Sequence, residues 1–206
     1  MVAPVERTRI RRLPDKAVRE RTGLDAVLDA GTVAHVAFVH DGQPYAIPVA
    51  YARAGDTVLF HGSTGSRLFR LLATGVPCCL TVTLLDGLVL ARSAFETSMR
   101  YRSAMILGAC TRVEDQEPAL RTISEHILPG RWAVVRPPSK KELAQTLVLA
   151  LPLTEWSVKV SAGWPEDTPE DEGWNPPTGV IPIREVRDEL LDVGTAPDAA
   201  PPAAAG

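Results

Sequence analysis

The chain has 206 residues, 45% of them hydrophobic and 23% charged, with a formal net charge of −3, which suits one globular domain with a sizeable core. That charge gives the molecule no overall attraction for nucleic acid, and no apolar run approaches the ~20 residues that cross a bilayer. Its three cysteines, Cys78, Cys79 and Cys110, are an odd count without metal-type spacing, so they read as small buried hydrophobes in a reducing compartment.

Residues 1–21 form a basic arm carrying Arg7, Arg9, Arg11, Arg12, Lys16, Arg19 and Arg21. Arg11-Arg12 precedes no apolar stretch, so the expectation is the cytoplasm rather than export. The arm reads as solvated or packed on a partner, with the acidic run Glu166–Glu172 as its counter-charge, in preference to a nucleic-acid arm.

Leu24, Val27 and Leu28 have helical spacing and Gly31 follows them, so a helix is expected over 23–30. Residues 33–39 read as a strand. Asp41-Gly42 is a strong hairpin signal, and the return strand, 44–53, places Tyr45, Ile47, Val49 and Tyr51 on one face. Gly55-Asp56 turns the chain into a strand over 57–61, and a helix at 65–74 follows, stopped by Gly75 and Pro77. Strand 78–85 leads to Asp86-Gly87, read as a second hairpin turn, with a return over 88–95 and a further strand at 102–113. Asp115 caps a helix with the stripe Leu120, Ile123 and Ile127, ended by Pro129-Gly130. Ser139-Lys-Lys-Glu142 is a capping box for another. Trp156, Val158 and Val160 alternate as a late strand, 163–177 reads as loop, and 179–183 reads as an edge strand. Tight turns between many short strands imply antiparallel pairing and favour a barrel.

Ser63, Ser66, Arg67 and Arg70 fall at or just inside the start of the helix at 65–74. Helix N-termini present unpaired N–H groups, and hydroxyls with a guanidinium there suit a phosphate. Among the histidines, His61 ends a strand beside this turn, His35 reads as a core residue, and His40 and His126 read as surface residues. No histidine pair has metal spacing, and no Gly-x-Gly-x-x-Gly dinucleotide fingerprint is present.

Four segments carry a family resemblance: Val33-Ala-His-Val-Ala-Phe38 with Asp41-Gly-Gln-Pro-Tyr-Ala-Ile-Pro48; Phe60-His-Gly-Ser63 with Ser66-Arg-Leu68; Leu85-Asp-Gly-Leu-Val-Leu-Ala-Arg-Ser93; and Ser98-Met-Arg-Tyr-Arg-Ser103 leading to Gly108. In order and spacing, over about residues 20–160, the chain resembles the pyridoxamine 5′-phosphate oxidase-like flavin-binding proteins. Within that family it is most like the small bacterial branch that contains the nitroimidazole-resistance proteins. The resemblance implies a mainly β protein, a six-stranded antiparallel split β-barrel with peripheral helices over 22–185. The arm at 1–21 precedes the barrel and a flexible tail at 186–206 follows it. It implies a homodimer with FMN in a groove between subunits.

Carried over residue by residue, the resemblance sets the backbone of Ile47, Pro48 and Val49 against the flavin ring. It sets His61, Gly62 and Ser63 near the ribityl chain or phosphate, and Ser66 and Arg67 on the phosphate. Tyr101, Arg102 and Ser103 then line the pocket from another strand. His61 is the candidate catalytic residue. The Arg- and His-rich C-terminal segment that grips a vitamin B6 substrate in the authentic oxidase has no counterpart here, so that activity is not carried over. The leading expectation is an FMN-dependent oxidoreductase acting on a small-molecule acceptor. The rival is a flavin- or haem-binding carrier or sensor without turnover.

Overall fold

A computed structural model describes residues 6–188 and 190. Its elements, in chain order, are β1 (Ala17–Val18), α1 (Arg21–Ala30), β2 (Val33–His40), β3 (Gln43–Ala54), β4 (Thr57–Ser63), α2 (Arg67–Leu72), β5 (Pro77–Leu90), β6 (Ser98–Ala109), β7 (Thr111–Arg112), α3 (Gln116–Ile127), α4 (Arg131–Val134), α5 (Lys140–Gln145), β8 (Thr146–Pro152), β9 (Trp156–Ser161) and β10 (Gly179–Pro182). The start of the basic arm and most of the C-terminal tail lie outside the described residues.

All of the strand pairings are antiparallel, in the order β1-β9-β6-β5-β2-β3-β4-β8-β7, with β10 added to β5. The last strand of that ladder continues the third, because only Cys110 separates β6 from β7. The ladder therefore turns back on itself. Strands β2 to β6 and β8 wrap a core that includes Val36, Tyr51, Phe60, Leu80, Ile106 and Leu149, and β6 and β8 share no ladder pairing of their own. This is the split barrel.

Helix α1 closes one end with Leu24, Val27 and Leu28, and the buried Tyr51 hydroxyl donates to the Leu28 carbonyl at 2.7 Å. Helix α3 lies on the outside of β3, β4 and β8, where Ala119 and Ile123 pack on Ala52, Leu59 and Val148. Among the described residues no helix is long and apolar enough to cross a membrane.

Local signals set much of this. Asp41 and Gly42 both take positive φ, 51° and 76°, as a two-residue hairpin turn requires. The Ser139–Glu142 capping box forms as read. Asp115 stands at the N-cap of α3, but its side chain makes no cap hydrogen bond. Gly31 ends α1 at φ −90°, and it is needed for space. A Cβ there would sit 2.7 Å from Val82 and 2.8 Å from the Tyr51 hydroxyl.

Three expectations are corrected and one strand is added. Asp86-Gly87 is not a turn, because β5 runs on through it to Leu90 and the chain reverses only before Ser98. Leu85 pairs with Tyr101 and Gly87 with Arg100, so Asp86 is the extra residue of a bulge. The strand β8 occupies a stretch for which the sequence offers no assignment. His35 is exposed on the outer face of β2, between Pro48 of β3 and Thr81 of β5, where a core residue was expected. His126 is tied down, its Nε2 lying 2.6 Å from the Gly31 carbonyl and its ring 5.5 Å from that of Tyr51.

Among the described residues, the arm's contacts run to β9 and the turn before it rather than to the acidic loop. Arg7 pairs with Glu155, Lys16 donates to Ser161 at 3.2 Å, and β1 pairs with β9. In the loop, Asp167 instead accepts from the Arg92 N–H at 2.8 Å.

Candidate functional site

The split between β3 and β4 makes the first feature. Strand β3 pairs with β2 from Gln43 to Ala50 but with β4 only from Tyr51 to Ala54. Beyond Phe60, β4 continues on β8 alone, through Ser63. Between Gln43 and Ala50 one edge of β3 therefore has no ladder partner, and its backbone groups are open for pairing. Helix α2 begins beside this gap. The Arg67 guanidinium lies over the Tyr45 ring, 5.3 Å from its centroid, and Tyr45 in turn stacks on Phe38 at 5.3 Å and 14°. Arg67 makes no ion pair among the described residues. Ser66 occupies the N-cap position without a side-chain cap hydrogen bond, which leaves its hydroxyl uncommitted to the helix.

The expected flavin residues do not share one face. Ile47 and Val49 turn inward and pack in or against the core, while Pro48 turns outward and is exposed. Gly62 faces inward under α2, where a Cβ would come within 2.2 Å of the Phe69 ring. Glycine is required there for the helix to seat. Ser63 accepts from the Gly65 N–H at 3.1 Å and shapes the turn.

On β6, Ser103 and Tyr101 share the outward parity. Ser103 lies in a shallow hollow of about 370 Å3 with Thr81, Thr83 and Lys159. Arg102 has the opposite parity and is held by two hydrogen bonds to the Asp86 carboxylate, at 2.9 and 2.7 Å. Each partner stabilises the other's charged form, and the Asp86 pKa is pulled below its ordinary value. Arg102 thus anchors the β5 bulge.

His61 is elsewhere. It follows Leu59 at the strand period, so it shares the outer face that α3 covers, and it pairs with Val148 of β8. Its exposed imidazole opens into a cleft of about 520 Å3, walled by Leu120, Ile123 and Ile127 of α3 and Trp132 of α4. These walls strip water from one side of the ring and lower its pKa, which keeps it neutral at pH 7. Arg136 and Glu142 stand at the same cleft, joined by hydrogen bonds of 2.8 and 2.6 Å. A neutral imidazole facing apolar walls beside a guanidinium is a donor set that suits the iron, macrocycle and propionates of a haem. Glu142 is the one acidic side chain beside His61 in the cleft lining, and among the described residues no group of three His, Cys, Asp or Glu side chains is placed to hold a metal ion. Strand alternation places His61 on the face of Leu59, but the helices that wall the cleft, α3 and α4, come from far along the chain, between Gln116 and Val134.

The sequence profile of the pyridoxamine 5′-phosphate oxidase family matches residues 20–160. A search of curated proteins finds no match. Among solved structures, the chain is similar to an FAD and heme binding protein from Mycobacterium smegmatis, at 43% identity and TM-score 0.83 over 90% of this chain and 91% of that one. It is similar to the flavocytochrome Anf3 from Azotobacter vinelandii, at 38% identity and TM-score 0.86 over 98% and 96%. A structure from Bacteroides thetaiotaomicron described as a 5-nitroimidazole antibiotic resistance protein shares the fold, at 22% identity and TM-score 0.59 over 70% of this chain and 86% of that one.

Proposed function

The chain belongs to the pyridoxamine 5′-phosphate oxidase family, and from that premise we propose that it is a two-cofactor redox protein, holding a flavin at the β3–α2 gap and a b-type haem at the His61 cleft. The observation that carries the reading is the separation of Arg67 and His61. They serve two differently built places, one suited to a phosphate and one to a metal in an apolar slot. The relatives at 43% and 38% identity are an FAD and heme binding protein and a flavocytochrome, which supports the same pairing.

In this reading Arg67 grips phosphate while Tyr45 holds the guanidinium in place. The unpaired edge of β3 at Ile47–Val49 meets the polar rim of the flavin ring. His61 would hold the haem through a ring nitrogen, and Arg136, paired with Glu142, would face its acidic groups. A bound flavin would supply one- or two-electron chemistry and a haem one-electron chemistry, which would make the protein an oxidoreductase acting on a small-molecule acceptor. The flavin is FAD, as in the Mycobacterium smegmatis relative. FMN, expected from the sequence, is the alternative, because the gap offers a single phosphate grip.

A second copy of the chain covers the outer face of the barrel, where Val33 and Val39 are 50% and 61% exposed beside Pro48. The test is identification of the cofactors from protein expressed with a haem precursor. Acid-released flavin is resolved by chromatography and haem by its reduced pyridine complex. FAD and haem near one each per chain support the reading. A protein that retains neither, and takes up neither when supplied, overturns it.

A further inference from the structure

A hollow of about 440 Å3 lies apart from both sites, between the N-terminal arm and the edge of β9. β9 is paired on one side with β6, but on the other with β1 only at Val158 and Lys159. The edge before Val158 has no ladder partner, so it offers free backbone donors and acceptors. Among the described residues the arm forms no strand ladder with that stretch. At Leu13 the chain takes a left-handed turn, φ 55°, which is costly for a leucine. Residues 6–11 pass over the edge as a roof. The roof is tied down, because Arg7 makes a two-fold hydrogen-bonded ion pair with Glu155, and Lys159 reaches the Arg12 carbonyl at 3.4 Å.

The charges do not cancel within the hollow. Glu155 is matched by Arg7 and Glu6 by Arg11. Arg9 and Arg19 also line it, and neither makes an ion pair among the described residues. Ile10, Val18 and Trp156 supply apolar wall. The volume lies within the range of small-molecule sites, ~300–1,000 Å3. We propose that this hollow is a second ligand site, for a small anionic aromatic molecule whose acidic group is recognised by Arg9 and Arg19. A flat ring suits the apolar wall and the open strand edge. A carboxylate, sulfonate or phosphate matches the two unmatched guanidinium groups.

The test uses the full chain saturated with flavin and haemin, so that those sites are filled. Calorimetric titration with 1-anilinonaphthalene-8-sulfonate is the readout, since bound chromophores do not disturb it. The expected result is one saturable site per chain, weakened at least tenfold in an Arg9→Ala/Arg19→Ala double variant and unchanged in Arg112→Ala. Circular dichroism checks folding, and if the double variant is unfolded, Arg9→Gln and Arg19→Gln singly carry the comparison, each expected to weaken the probe. Absence of saturable binding, or equal binding by wild type and the arginine variants, overturns the proposal.

Discussion

Arg67 sits over the ring of Tyr45, 5.3 Å from its centroid, and this contact bridges the place where β3 and β4 part. The aromatic face holds the guanidinium at the gap without neutralising it, as a salt bridge would. The arginine therefore stays available for an anion, whereas Arg102, expected only to line the pocket, is already paired with Asp86.

Arg67→Ala is expected to weaken flavin binding by about 1.5–3 kcal/mol, the worth of a charge-assisted hydrogen bond. Arg70→Ala, a turn further along α2, does less. Fluorescence titration of the apoprotein measures both. Equal affinity for wild type and Arg67→Ala would place the phosphate elsewhere.

His61→Ala is expected to lose haem, with affinity falling at least ~10-fold, or about 1.4 kcal/mol, while flavin affinity stays the same. The readout is the Soret band against the flavin band in one spectrum. Loss of flavin alongside haem would bring His61 back to the phosphate turn, where the sequence reading had it.

The same residue sets a pH dependence. Only neutral imidazole binds iron, and the cleft walls lower the His61 pKa. Haem affinity should therefore decline in acid with a midpoint below the ordinary histidine value of about 6.5. A midpoint at or above about 6.5, in haem titrations from about pH 8 downward, would contradict the desolvated environment.

How far the sequence reveals this arrangement depends on the range of the interactions. The Asp41-Gly42 turn, the Ser139–Glu142 box and the stripe on α3 are local, and they fold as read. Asp86-Gly87 misled because its chemistry suits a turn. What keeps it in a strand is Arg102, 16 residues on, and the closeness of β10, whose Ile181 carbonyl would lie 2.8 Å from a Cβ on Gly87. β8 was missed because Thr-Leu-Val-Leu-Ala-Leu-Pro is a short apolar run buried on both faces, without alternation. The sequence singles out Arg67 and His61, but not that one lies at the β3–β4 gap and the other in a cleft, since α3 and α4 must first pack to wall that cleft.

Asp86 gives a test of the bulge. Arg102 holds its carboxyl below the ordinary value. Its contribution to stability is thus complete above the unfolded value of about 4 and is lost as pH falls through the lowered folded value. Both side chains are more than a third exposed, so the effect is small, about 1 kcal/mol or less. Asp86→Asn should lower the thermal midpoint at pH 7 and leave it nearly unchanged at pH 2. A larger loss at pH 2 than at pH 7 would show that the pair does not act this way.

The account stands on two independent cofactor places in one small barrel. The most direct measurement is an absorbance titration of the apoprotein with haemin, before and after saturation with FAD. Two places predict the same haem stoichiometry and affinity in both titrations, with the flavin band retained throughout. Displacement of flavin by haemin, or failure of the flavin-loaded protein to take up haem, would show a single shared site and contradict it.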